Sequence, residues 1–207
     1  IIKNKSYYTS GSLGFNYVFN DKHSVGATYE VNINPYSRGG WNSLMDVWKN
    51  GSKTESYTND MYCRFKSRPT QDITAYYAGQ IGKVSIEWNG EIYLRKTGQT
   101  QYSEETGIEG GDSRTIESDF TADSWMHASK LVLSFPVWKG TLKVGNEFTE
   151  SCRANLYTID EQGTDLPGKT DDQVKESNLA AFVSYGLRLN KVELNAGLRY
   201  EHVSSNY

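Results

Sequence analysis

Apolar and polar residues alternate along most of this chain with a period of two. The clearest run is His23 to Asn34. Val25, Ala27, Tyr29, Val31 and Ile33 occupy one parity; Ser24, Gly26, Thr28, Glu30, Asn32 and Asn34 occupy the other. A period of two puts the apolar side chains on one face of a strand and the polar ones on the other. The run is about twice as long as a usual strand in a soluble protein.

The same pattern predicts about eight long strands in four hairpins. The first runs from about Tyr7 to Phe19, with Leu13, Phe15, Tyr17 and Phe19 on one face, and turns at Asn20-Asp21-Lys22. Asn and Asp tolerate the positive φ of hairpin turns. The second is the run above, ended by Pro35, since proline cannot donate to a ladder. In the third, Met61, Cys63 and Phe65 alternate, Arg68-Pro69 interrupts, and Ile73, Ala75 and Tyr77 resume. A break or bulge near Pro69 is expected. Strand four carries Val84, Ile86, Trp88, Ile92 and Leu94; strand five ends with Leu131, Leu133, Phe135 and Val137. Strand six carries Leu142, Val144 and Phe148, strand seven Leu179 to Leu189, and strand eight Val192 to Tyr200.

Long polar loops are expected between the hairpins, over about 35–58, 96–115 and 151–175. Within the first, Trp41, Leu44, Met45 and Trp48 fall at i, i+3, i+4 and i+7, with Gly51 placed as a stop. That spacing predicts a short amphipathic helix. These four residues are the candidate ligand-contacting set; the alternative is a loop that buries its own aromatics.

Tight turns at one end and long loops at the other describe an all-β, antiparallel up-and-down meander. Such a sheet is part of a transmembrane outer-membrane β-barrel, or is a small barrel itself. A soluble sandwich also alternates. Against it stand the strand length and the charge on the polar parity, where Glu30, Glu87, Glu91, Arg95, Lys143, Glu147, Arg199 and Glu201 mix signs. The placement of Tyr17, Phe19, Phe135, Trp138 and Tyr185 near the tight turns also fits a membrane-interface girdle.

Composition adds little against this. Hydrophobic residues make up 37% of the 207, as expected when lipid-facing residues are diluted by lumen-facing ones. No apolar stretch is long enough for a spanning helix. A formal net charge of −3 gives no basic footprint for nucleic acid. The two cysteines, Cys63 and Cys152, are too few for a disulfide scaffold and sit in separate hairpins, so pairing would need loops to bring them together. His23, His127 and His202 are scattered, without metal-ligand spacing. No phosphate loop or nucleophile elbow occurs, so no enzyme and no cofactor are expected. Glu87 and Glu91 share a strand face but lie about 13 Å apart, too far for joint acid–base work. The acidic segment Asp160 to Asp172 lacks calcium-loop spacing.

Three segments resemble the outer-membrane β-barrel family of TonB-dependent receptor-like proteins: Ala75-Tyr76-Tyr77-Ala78-Gly79-Gln80-Ile81-Gly82-Lys83-Val84-Ser85-Ile86, Asn178-Leu179-Ala180-Ala181-Phe182-Val183-Ser184-Tyr185, and Val192-Glu193-Leu194-Asn195-Ala196-Gly197-Leu198-Arg199-Tyr200-Glu201-His202. The last is similar to that family's aGLRyE pattern, and the likeness covers about Ile73 to Tyr207. It implies a location in the bacterial outer membrane and a longer parent with a signal peptide, often a carboxypeptidase-regulatory-like domain, a plug and a full barrel. The chain is expected to be a single barrel segment over 1–207, with plug and signal peptide absent. Its expected partners are outer-membrane lipid, an unknown small ligand, and a plug domain and TonB through the parent. An isolated arc is expected to oligomerise or bind detergent, because its edges and apolar face are uncovered. Two other readings stay open: a self-contained small barrel, in a membrane or soluble around a ligand, and a surface adhesin or structural outer-membrane protein.

Overall fold

A computed structural model describes residues 3–161 and 168–207. Nine strands run in order: β1 (Lys3–Asn20), β2 (His23–Lys49), β3 (Ser52–Ser67), β4 (Thr70–Ile81), β5 (Val84–Glu109), β6 (Arg114–Val137), β7 (Gly140–Glu161), β8 (Gly168–Leu189) and β9 (Val192–Asn206). They form one sheet, and every pairing is antiparallel. β3 and β4 share a single place between β2 and β5: β3 pairs with the far halves of both neighbours, and β4 with the halves near the tight turns. Together they make one interrupted stave, so the nine strands form eight staves, as the alternation predicts. β1 and β9 are the edges of the sheet.

The expected long loops are corrected by the structure. β2, β5, β6, β7 and β8 extend into those segments as paired strands of 22 to 27 residues. Charged and polar residues do not end a strand when both neighbours keep their ladders. The amphipathic helix at Trp41–Trp48 does not form either; that segment is the end of β2. Asn50 and Gly51, with φ of 52° and 80°, make the turn into β3. Asn-Gly is the favoured pair for such a turn, since both central residues need positive φ. Gly51 closes a hairpin and does not stop a helix. Part of the acidic segment, Gly163, Asp165 and Pro167, lies outside the described residues. Cys63 and Cys152 are both free thiols.

The register settles which residues share a face. Tyr17, Val25, Tyr77, Trp88 and Leu131 lie opposite one another in turn across β1, β2, β4, β5 and β6. The next row but one toward the turns carries Ile86, Leu133, Val144, Val183 and Leu198. Directly opposed residues point to the same side, so the apolar parity of every stave falls on one face. Among the described residues no second layer covers it: Leu13 and Leu198 are both 78% exposed and Leu194 55%, whereas on the other face Ala180 is 1% and Val132 9%. This reverses the arrangement of a soluble sandwich, in which the apolar face is the covered one. Val25, Ile86 and Leu194 all lie on the open face.

The edge of this apolar belt away from the tight turns cuts obliquely across the register. Leu94 and Trp125 are partners at that edge. Trp125 then pairs with Cys152, but on β7 the apolar run already stops at Phe148. Phe148 pairs with Leu179, whose β9 partner is His202, and there the run stops at Tyr200. A belt level with a bilayer crosses tilted strands in this way.

On the polar face, aromatic rings span glycines. Tyr76 on β4 passes over Gly26 of β2 and donates to Asn16 Oδ1 of β1 at 3.0 Å; a Cβ at Gly26 would collide with that ring. Phe182 covers Gly145 in the same manner. Lys130 and Arg199 flank Phe182, 5.8 and 6.0 Å from its ring, and both bind Glu147 at 2.6 Å. Arg199 also pairs with Glu201. The mixed charges foreseen on this parity thus join three staves.

Leu131→Arg, in the belt, is expected to lower unfolding free energy in lipid vesicles by about 2–4 kcal/mol. Ser85→Arg, on the polar face, is expected to change it by less than about 0.5 kcal/mol. Denaturant titration measures both, and the opposite ranking would put lipid on the other side.

Candidate functional site

Above the belt the two faces exchange character. Tyr7 pairs with Tyr36 and Thr9 with Ile33, so β2 holds one residue more than β1 over that interval. β4 keeps Gln71 opposite Leu94, while β3 keeps Ser67 opposite Thr97. This displaces the interrupted stave by one position as well. Each shift is a β-bulge carrying a proline, Pro35 in β2 and Pro69 between β3 and β4, at the same level of neighbouring staves. A bulge inverts the parity beyond it. β5 and β6 have no bulge at that level, and there the sequence pattern itself inverts.

The inverted region places Trp41, Met45, Met61, Cys63, Phe65, Ile116, Phe120 and Ile159 on the side that carries Glu91 and Glu147 lower down. Phe65, Gln99, Phe120 and Tyr157 stand opposite one another across β3, β5, β6 and β7. The adjacent row is Cys63, Gln101, Ser118 and Ile159. In the row beyond, Trp41 faces Met61. This inner wall combines rings and thioethers with two central amides. Gln99 donates to the Cys63 sulfur at 3.4 Å, and Cys63 donates to Gln101 at 3.6 Å. Burial raises the Cys63 thiol pKa, opposed by the Gln99 hydrogen bond.

The far end of the wall is held by Arg114. Its Nε donates to Glu105 at 2.5 Å and its Nη1 to Glu161 at 2.7 Å, joining β5, β6 and β7. The Glu105 hydrogen bond raises the guanidinium pKa further; desolvation opposes it, and the Glu161 hydrogen bond adds a smaller rise. Ser103 donates to Asn59 at 2.8 Å between buried side chains. The opposite, outer face of the same strands is charged. Lys66 meets Asp119 at 3.0 Å, and Arg38 lies 4.2 Å from the Tyr62 ring. The Thr100 hydroxyl and the Lys66 ammonium hold the Asp119 carboxyl below its ordinary range.

The four candidate ligand-contacting residues are divided by this geometry. Trp41 and Met45 lie on the inner wall; Leu44 and Trp48 lie on the outer face, 66% and 63% exposed. A helical spacing of three and four necessarily separates on a strand. Phe65, Gln99, Phe120 and Tyr157 were not among the candidates. The signal was present: Ile116 and Phe120 share a parity with Ala122, opposite to that of Glu117 and Asp119.

A family model described as the outer membrane protein beta-barrel family matches residues 83–207. No curated protein matches the chain. Among solved structures, the ferric citrate transporter FecA in its unliganded form is similar at 9% identity and a TM-score of 0.33, over 99% of this chain. The chain spans 38% of the length of that structure.

Arg114→Met leaves Glu105 buried without its cation. It is expected to weaken the β5–β6 hairpin end locally by about 1–3 kcal/mol, read as faster amide exchange there. Arg114→Lys should recover part of the loss.

Proposed function

The chain belongs to the outer membrane protein β-barrel family, and from that premise we propose that its sheet is an arc in the wall of a TonB-dependent receptor-like transporter. The protein resides in the bacterial outer membrane. Within such a wall the belt meets lipid, the polar face lines a wet lumen, and the long hairpins stand outside the cell.

The observation that carries this reading is the polarity exchange above the belt. An adhesin needs chemistry on the outer surface of its hairpins. Here the rings and amides of Phe65, Gln99, Phe120 and Tyr157 line the inside, and the outside mixes charges with Leu44, Trp48 and Tyr62. That arrangement suits a mouth that receives a small ligand. Trp41 and Met45 extend the same wall.

Two features support a larger barrel. β1 and β9 are not paired with each other, and in hydrocarbon each free backbone group needs a partner. The charged network about Glu147 gives the lumen wall a hydrated surface on which a plug domain can rest. Energy from TonB would then act on that plug, with the wall described here passive.

Nutrient-limited growth of a deletion strain tests the proposal. Loss of growth on one solute class, restored by the full-length gene and abolished by a protonophore, is expected. Trp41→Ala with Phe120→Ala should reduce uptake several-fold while surface expression is unchanged. A deletion strain that loses adhesion but no nutrient would overturn the assignment. The isolated 207-residue chain is expected to form oligomers in plain buffer or to bind detergent micelles, by light scattering; a monomer at all dilutions would contradict an arc with open edges.

A further inference from the structure

The tight-turn end of the sheet repeats a residue that turn geometry does not call for. Each of its four turns has two residues, and the second is lysine every time: Asp21-Lys22, Gly82-Lys83, Trp138-Lys139 and Asn190-Lys191. Positive φ selects the first residue in three of them, at 61° for Gly82, 51° for Trp138 and 50° for Asn190. The lysines do not take positive φ, so the backbone of the turn does not select them. Within three residues of these turns the ionised groups are Lys22, Lys83, Lys139, Arg188 and Lys191 against Asp21 and Glu193. That is a local excess of positive charge in a chain whose formal net charge is −3. At the opposite end β5 and β6 are acid-rich, with Glu104, Glu105, Glu109, Asp112 and Glu117. All four turn lysines are exposed, and among the described residues none of them forms an ion pair.

The turns also sit flush with the belt. Ile81 with Val84, and Leu189 with Val192, are the last rungs before their turns, and all four side chains are on the lipid face. Val137 and Gly140 close the third turn. Successive turns lie two staves apart, about 10 Å. The Gln80 amide donates to the Lys22 carbonyl at 3.0 Å and ties the first turn to the second. The Tyr185 hydroxyl donates to the Val137 carbonyl at 3.0 Å and ties the third to β8. Trp138 is 76% exposed, with the Lys139 ammonium 5.7 Å from its ring.

Resting on the belt's assignment to lipid, we propose that this row of turns binds anionic phospholipid headgroups in the leaflet that faces the periplasm. A lysine one residue beyond the last apolar rung carries its ammonium at headgroup depth. No carboxylate occupies that ammonium, so its donors are open to a phosphate. Asp21 and Glu193 temper the first and fourth turns. Lys83 and Lys139 have no acid within three residues, and their turns are neighbours, so the attraction is strongest there. Trp138 stands at the same place, and an indole belongs at the interface where one side is apolar and the other wet. Two-residue turns present too little surface for a folded periplasmic partner. They are enough for lipids, which meet each cation separately.

Trp138 supplies the readout. The full-length protein is placed in vesicles whose phosphatidylcholine or phosphatidylglycerol carries brominated acyl chains, which quench tryptophan on contact. The Trp138 signal is taken as the difference from Trp138→Phe. At equal mole fraction phosphatidylglycerol should be preferred about fivefold, the effect of one cation at a membrane surface. Lys83→Gln with Lys139→Gln should abolish the preference. The corresponding Lys→Arg pair should keep it, and Lys169→Gln, at the far end of β8, should leave it untouched. Equal quenching by the two lipids in wild type would overturn the proposal. So would a preference that survives Lys83→Gln with Lys139→Gln. Loss of the preference on Lys143→Gln alone would place the anion on the lumen face and reject the turns. Displacement of the brominated lipid by millimolar inorganic phosphate at fixed ionic strength would mark a free-anion site and reject the lipid. If neither lipid quenches Trp138 while the protein is inserted, the belt assignment fails with the proposal; quenching without headgroup preference rejects the proposal alone.

Discussion

Backbone hydrogen bonding in a medium without water is the constraint from which the rest of this structure follows. Hydrocarbon offers no partner to an amide or a carbonyl, so spanning strands must satisfy one another. Extended, uninterrupted ladders do this along β5, β6, β7 and β8, which pair in constant register from end to end. Constant register then has a second effect. Once one stave points its apolar parity outward, each neighbour must do so too, or lose either its ladder or its contact with lipid. The common face of Val25, Trp88, Leu131, Val183 and Leu198 expresses that agreement.

The bulges show where the constraint relaxes. Beyond the belt, water can satisfy a backbone group, and an extra residue costs little. Both shifts fall at that level, each beside a proline that has no amide to contribute. They allow the first staves to exchange faces while keeping their partners. Burial of rings changes from the lipid side to the inner side, and charges move outward. The wall therefore has two amphipathic senses in one continuous sheet, with lipid as the apolar phase below and the inner row of rings as the apolar side above.

Much of this was legible in the residues. Period-two alternation located all eight staves, and local residue chemistry located the tight turn at Asn20-Asp21-Lys22 and the interruption at Arg68-Pro69, because each depends on neighbours in sequence. The hairpin extensions were not legible as strands. Polar composition over 96–115 reads as loop when pairing energy from β3, β6 and the remainder of the sheet is left out. Trp41, Leu44, Met45 and Trp48 satisfied a helical period while Asn50-Gly51 satisfied a hairpin turn, and the turn prevailed because it lets β2 and β3 share a ladder. The inner row of Phe65, Gln99, Phe120 and Tyr157 draws on four strands far apart in sequence, and only the register brings them into line.

Among the described residues, the backbone ladders of each stave run to the staves that precede and follow it along the chain. The sheet is thus a linear array, in which the stability of one hairpin is felt mainly by the next. Such an array can gain or lose a hairpin without reorganising the remainder, much as a solenoid changes length by whole repeats. The circumference of barrels built this way is an evolvable quantity: duplication of one hairpin widens the pore by two staves and leaves the ladders away from the insertion in place.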